Sequence, residues 1–287
     1  MKAAKIERAL VIGAGTMGHG IAQVLAQAGV GTTLCDVQSE TLDRARAAVE
    51  QNLEKGVAKG KVSGEERDAA LARLSTSTDV SRAAEGVDCV VEAVPERLEL
   101  KTSILAPLGE RLGPEVLIAS NTSSLSLTQL AEAIPHPERV VGVHFFNPVH
   151  IMKLVEVVRA DQSSDEAVEC TVELAVRLRK EPIVVKDRPG FASSRLGVAI
   201  GLEAIRMVEE EVASAEDIDK AMTLGYGYPM GPLRLTDLVG LDVRLSIAEY
   251  LTRTLGDRFT PPQLLRDKVG RGELGKKSGR GFYDWSA

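Results

Sequence analysis

Two rhythms of hydrophobic and polar positions alternate along the first two-thirds of the chain. Short apolar or β-branched runs, Ala9–Ile12, Thr32–Cys35, Cys89–Val94, Val116–Ser120, Val140–Phe145, Leu154–Val158 and Ile183–Val185, read as strands. Between them, amphipathic stretches predict helices near Met17–Ala28, Glu40–Lys55, Glu65–Arg73, Leu98–Arg111, Leu127–Ala133 and Asp165–Arg179. The runs at Ala9, Cys89 and Val116 are almost wholly apolar, as strands buried on both faces require. The alternation predicts an α/β fold, a mostly parallel sheet with helices on both faces.

The rhythm changes at Lys186-Asp187-Arg188-Pro189-Gly190, after which no period-2 segment recurs. A helix is expected over Ser193–Val212, with Leu196, Ile200, Ile205 and Val208 on or near one face, then helices near Ala215–Thr223, Thr236–Thr254 and Pro262–Val269. A Gly/Pro-rich turn from Gly225 to Pro232 separates two of them. Residues 1–187 therefore form the α/β domain and residues 188–287 an all-α C-terminal domain, a division that suits 287 residues.

Composition narrows the function. Apolar residues at 44% and charged residues at 26% describe a globular chain, not a disordered or coiled-coil one. A net charge of 35 − 41 = −6, no long basic run and only 3% aromatics argue against a nucleic-acid partner. The 27 residues Ala9 to Cys35 carry no Asp, Glu, Lys or Arg, long enough to cross a bilayer. Six glycines and scattered Thr, Gln and His break that stretch into short buried elements, so no membrane span or signal peptide is expected. Cys35, Cys89 and Cys170 have no paired spacing, which predicts neither disulfides nor a metal site and suits the cytoplasm.

Strand Ala9–Ile12 runs directly into Gly13-Ala14-Gly15-Thr16-Met17-Gly18 and then an apolar helix. Gly13 permits a tight turn, Gly15 lets backbone approach a pyrophosphate, and Gly18 allows close helix–strand packing, while the helix N-terminus offers its amides to the anion. Asp36 follows the second strand, 18 residues after Gly18, where a carboxylate accepts from ribose hydroxyls and repels a 2′-phosphate. The motif alone is compatible with a ligand-free turn; with its strands, helix and acid it predicts a Rossmann-type domain that binds NAD in preference to NADP. His19, at the start of this helix, reads as a packing or capping residue.

His144 closes one β-run, and Glu156 is the single acid in the next, Leu154–Val158. If the two strands pair antiparallel about residue 150, positions 144 and 156 face each other. A carboxylate bonded to one imidazole nitrogen fixes the tautomer and leaves the other nitrogen to take a substrate proton. The same pairing is equally compatible with a buried His–Glu pair that only pins a hairpin, since a lone carboxylate in an apolar strand costs several kcal/mol unless paired. His150, at the turn, is the rival base.

Six blocks, Gly13 to Gly18, Ser120-Asn121-Thr122-Ser123-Ser124-Leu125, His144-Phe145-Phe146-Asn147-Pro148, Met152 to Glu156, Lys186 to Phe191 and Gly225 to Pro232, together resemble the L-3-hydroxyacyl-CoA dehydrogenases, bacterial 3-hydroxybutyryl-CoA dehydrogenases most of all. The resemblance spans the chain in order. It implies NAD-dependent oxidation of an L-3-hydroxyacyl-CoA to the 3-ketoacyl-CoA, and the reverse, by a homodimer joined through the C-terminal domains. It also implies His144 as general base, Glu156 as its orienting partner and Ser123 on the substrate oxygen. Glu96, Lys101 and Asn147 match cofactor-contacting positions, with Ser123, Thr16 and Met17. Asn52 and Lys59 match the region that holds coenzyme A.

Read without the family, Glu96 and Lys101 are surface charges, and Lys55 and Lys59 share either a phosphate-binding or a merely solvated helix face. One departure stands out: relatives commonly carry Asn in the block after Pro189-Gly190-Phe191, where this chain has Ser194. Two other readings compete, a dehydrogenase of the same architecture for a free hydroxy or sugar acid, with Arg195 as carboxylate clamp, and a non-catalytic NAD-binding protein. The second would be favoured by His144 and Glu156 standing too far apart to bond.

Overall fold

The computed structural model describes residues 1–2 and 5–286, and the chain divides into two compact units, Met1–Arg188 and Pro189–Ala287. In the first, β1 (Arg8–Ile12), α1 (Thr16–Gln27) and β2 (Gly31–Cys35) are followed by α2 (Ser39–Ala58), α3 (Gly64–Ala72), β3 (Leu74–Ser77) and the short α4 (Val80–Ala83). Next come β4 (Cys89–Glu92), α5 (Leu98–Arg111), β5 (Leu117–Ser120) and α6 (Leu127–Glu132), then β6 (Val140–Phe145), β7 (Leu154–Arg159), α7 (Asp165–Arg177) and β8 (Glu181–Lys186). The strands form one sheet in the order β3-β2-β1-β4-β5-β6-β7-β8.

Strands β1 to β6 are parallel, β7 runs antiparallel to β6, and β8 runs parallel to β7. Chain order reverses between β1 and β4, and the crevice outside the carboxyl ends of such strands is where an open α/β sheet takes its ligand. The central strands β4, β5 and β6 are buried at every position, which is why they read as continuous apolar runs. Leu10, Ile21, Leu25 and Leu34 are fully buried, each contributing about 1.5–3 kcal/mol.

The edge strand β3 is absent from the expected elements. Its sequence, Leu-Ser-Thr-Ser, buries only its first residue and is held by backbone pairing to β2 and a Thr33–Ser75 hydroxyl contact of 3.0 Å, so no apolar alternation marks it. The strand expected to reach Val94 stops at Glu92, whose own carboxylate accepts the Val94 amide at 2.7 Å.

The second unit is helical: α8 (Ser193–Glu209), α9 (Ala215–Lys220), α10 (Pro232–Val239), α11 (Leu241–Leu255) and α12 (Gln263–Gly270). Helix α8 ends before the expected Val212 because Glu211 turns to φ 56. The helix expected over Thr236–Thr254 is two helices, split at Gly240, whose φ of 103 breaks the helical path. Pro232 occupies the first turn of α10, where its missing N–H costs nothing. Buried Asp237 accepts from the Phe282 and Tyr283 amides (both 2.9 Å) and from Trp285 Nε1 (2.8 Å), fastening the C-terminal tail to this unit. Among the described residues no helix is long and apolar enough to cross a membrane.

Candidate active site

Gly13 has φ +97, and a Cβ there would stand 2.7 Å from the Ala93 carbonyl oxygen. A Cβ on Gly18 would stand 1.7 Å from the Gly13 carbonyl oxygen, so α1 can start this close to β1 only because both positions lack side chains. Gly15 differs: nothing lies within 4 Å of its Cβ position, which leaves open space over the first turn of α1. That turn has no side-chain cap and no acid, so its amides and positive end face outward. A cleft of about 660 Å³ lies here, lined by Gly13, Gly15, Thr16, Met17, Asp36 and Pro95 among others.

Asp36 Oδ2 accepts from the Ala14 amide at 2.8 Å, and Oδ1 from the Gln38 amide at 3.1 Å. These bonds aim the carboxylate into the cleft that the glycine turn lines. His19 Nδ1 lies 2.9 Å from the Gly15 carbonyl, a local helix-start contact.

A second arrangement lies beneath the Ser120–Leu125 loop. Lys101 is 1% exposed, which corrects its reading as a surface charge, and Nζ lies 2.7 Å and 3.0 Å from the two carboxylate oxygens of fully buried Glu92. Ser120 Oγ donates to Glu92 Oε2 at 2.6 Å. Lys101 also reaches Glu96 Oε2 at 3.2 Å, and Glu96 Oε1 accepts from the Ser123 amide (2.7 Å), the Ser124 amide (3.0 Å) and Thr122 Oγ1 (2.7 Å). Burial raises the Glu96 pKa, yet the Lys101 ammonium and the Thr122 and Ser123 donors outweigh it and hold the carboxyl below its ordinary value. Glu96 thus shapes the loop on which half-buried Ser123 sits.

The hairpin β6–β7 pairs His144 with Glu156 in register, as the symmetry about residue 150 predicts. Glu156 is fully buried, His144 is 7% exposed, and Nδ1 lies 2.7 Å from Glu156 Oε2. The Phe146 ring stands 4.5 Å from the imidazole, centroid to centroid, tilted by 46°. Asn121 Oδ1 accepts the Phe145 amide at 2.9 Å and so ties the serine loop to the residue after His144. The separation that would favour the non-catalytic reading is therefore not present.

The remaining expected residues are more dispersed. Asn147 is exposed in the turn after β6. Asn52 on α2 donates to Gln23 on α1 at 3.2 Å, and Lys59 stands exposed just past the end of α2. Ser194, half-buried, is the second residue of α8 in the helical unit. Glu92 and Gln23 were not anticipated, although the cost of a carboxylate inside an apolar run, used for Glu156, applies equally to Glu92.

A glycine turn opening a helix, an acid after the second strand that lines the same cleft and a buried histidine–carboxylate pair belong to an NAD-dependent oxidoreductase of Rossmann type. Residues 8–188 match the family model for the 3-hydroxyacyl-CoA dehydrogenase NAD binding domain, and residues 190–285 match that for the C-terminal domain. A probable 3-hydroxybutyryl-CoA dehydrogenase of Deinococcus radiodurans is 45% identical over 96% of this chain and 99% of its own. The mitochondrial hydroxyacyl-coenzyme A dehydrogenase of Sus scrofa is 41% identical, over 98% of this chain and 91% of its own. The crystal structure of (S)-3-hydroxybutyryl-CoA dehydrogenase from Ralstonia eutropha superposes with a TM-score of 0.94 at 39% identity, covering 99% of this chain and 100% of that one. The chain belongs to the 3-hydroxyacyl-CoA dehydrogenase family.

Proposed function

We propose that the protein oxidises a short-chain L-3-hydroxyacyl-CoA, 3-hydroxybutyryl-CoA in particular, to the 3-ketoacyl-CoA, and catalyses the reverse. The observation that carries this reading is the buried His144–Glu156 pair, fastened through Asn121 to the loop that presents Ser123.

In the oxidising direction His144 Nε2 takes the proton of the 3-hydroxyl, while Glu156, bonded at Nδ1, orients the ring and stabilises the imidazolium. Ser123 Oγ donates to the same substrate oxygen. The open space over Gly15, the outward amides of α1 and the Asp36 carboxylate fit a dinucleotide, and bound NAD supplies a hydride acceptor. Glu96 and Lys101 border the cofactor, and Asn147 contributes beside it. Asn52 and Lys59 hold the coenzyme A portion. Ser194 stands in for an Asn as donor to the thioester carbonyl.

A homodimer joined through the helical unit completes the proposal. Leu224 (84% exposed) and Tyr226 (78% exposed), with Leu235 and Val239, are exposed apolar side chains on that unit, of the kind that interfaces cover. A monomer in sedimentation at micromolar concentration would remove that part. Three buried free thiols suit a reducing compartment, the cytoplasm.

The test is NADH oxidation on adding acetoacetyl-CoA, with free acetoacetate and NADPH as comparisons. Acetoacetyl-CoA with NADH is expected to react far faster than either alternative. Equal rates with acetoacetate would reject CoA recognition.

A further inference from the structure

Arg244, on α11, is 6% exposed, and its buried Nε has no hydrogen-bond partner among the described residues. No described carboxylate offsets the charge, and burial alone draws the pKa down to about 10. The side chain therefore stays a cation at neutral pH, and a buried cation with nothing opposite it costs several kcal/mol. A second orphan lies beside it. Thr236 Oγ1, on a fully buried residue of α10, is also without a partner. Both atoms flank Gly201 of α8, 3.1 Å (Thr236 Oγ1) and 3.8 Å (Arg244 Nε) from where a Cβ would stand. Buried polar groups are almost always hydrogen-bonded, so two orphans side by side mark a place that takes a polar partner.

Two glycines of α8 show which way the arginine points. Its Nε and Cζ lie 3.8 Å and 3.9 Å from the Cβ position of Gly201, and its Nη1 and Nη2 lie 3.2 Å and 3.8 Å from that of Gly197. The side chain thus runs along α8 toward the N-terminus of that helix, in a slot that side chains at 197 and 201 would narrow. Ser194 stands three residues before Gly197, roughly 5–6 Å away on the same face. The 17-residue α8 begins at Ser193 with no side-chain cap and no acid in its first turn, so its positive end adds to the charge of the guanidinium.

We infer that Arg244 binds the far end of the acyl chain, and that the preferred substrates are L-3-hydroxyacyl-CoAs whose acyl group ends in a carboxylate. The inference rests on the acyl-CoA reading and deepens it by naming the chemistry of the chain end. With the thioester carbonyl on Ser194, an extended six-carbon chain carries its terminal carboxylate about one helical turn further, to the guanidinium. The planar fork takes a carboxylate through two parallel hydrogen bonds. A chain that ends in a methyl group leaves the buried cation unpaired, which turns the arginine into a selector.

The test compares oxidation of 3-hydroxyadipyl-CoA and 3-hydroxyhexanoyl-CoA, chains of equal length that end in a carboxylate and a methyl group. The ratio of their kcat/KM values should favour the carboxylate by roughly 10–100-fold. In Arg244→Met that ratio should fall to about one, and Arg244→Lys should keep part of it. Taking the ratio within each variant cancels any loss of folded protein. A second arm needs no variant: adipyl-CoA, which lacks the 3-hydroxyl, should inhibit the parent protein with a Ki roughly 10–100-fold below that of hexanoyl-CoA.

A ratio near one in the parent protein, equal inhibition by the two acyl-CoAs, or a preference that survives Arg244→Met overturns the inference. The two failures are separable. Tighter inhibitor binding by adipyl-CoA, measured calorimetrically, without turnover of either hydroxyacyl thioester would sink the proposed reaction and leave the role of Arg244 standing. Turnover of both thioesters at equal kcat/KM would sink the role of Arg244 alone.

Discussion

The cleft over the glycine turn and the β6–β7 hairpin solve opposite electrostatic problems. The cleft is made of backbone and space: Gly13 and Gly18 bring α1 against β1, Gly15 leaves room, and between Ala9 and Cys35 no charged side chain appears. An anion there meets fixed amide dipoles, which need no partner before it arrives. The hairpin instead buries ionisable side chains, His144 against Glu156, and Lys101 against Glu92 lies beneath the neighbouring loop. Each of those groups needs a counterpart brought from elsewhere in the chain, since a buried charge without one costs several kcal/mol. Binding can thus be built from glycine and helix ends, whereas proton transfer requires paired side chains.

The largest effect that separates the two regions is expected from His144→Ala. Turnover should fall by about 10²–10⁴ while NADH binding, measured by fluorescence titration, changes little. Near-normal turnover would remove His144 from the chemistry and leave the hairpin as a structural pin.

Lys101→Met tests the charge pairing itself. It strands Glu92, so unfolding free energy in a denaturant titration should drop by about 3–5 kcal/mol, and adding Glu92→Leu should restore much of it. A single variant as stable as the parent would show that the pair contributes nothing measurable.

A smaller effect is expected from a pair of alanine substitutions in the cleft. Gly18→Ala forces a methyl into the Gly13 carbonyl and should lower Tm, whereas Gly15→Ala enters open space and should keep Tm while weakening NADH binding about tenfold. Equal Tm losses in both would erase the distinction between a packing glycine and a ligand-facing one.

Legibility in the sequence follows the same divide. The turn Gly13 to Gly18, the apolar strands and the acid after β2 are local patterns, and the structure carries them at the expected positions. The His144–Glu156 register was also readable, because a hairpin makes positions symmetric about its turn and converts sequence distance into spatial contact. Edge strand β3 was not, since backbone pairing without burial leaves no apolar trace. Nor was the split between α10 and α11, where Gly240 interrupts a continuous helical period. Lys101 illustrates the remaining gap: its charge suggests solvent, and only the return of α5 over the end of β4 shows that it is enclosed with Glu92.

The sequence by itself determined the class of fold, the glycine turn that opens α1, the acid after β2 and the facing of His144 and Glu156, because each depends on spacing within one element or across one turn. The tertiary structure alone decided which charges are brought together, from the Glu92–Lys101–Glu96 cluster to the Lys61, Lys153, Arg177, Arg179 and Lys180 side chains that line one cavity. Coulomb attraction and desolvation depend on distance and burial in space, and neither is written in the periodicity of the chain.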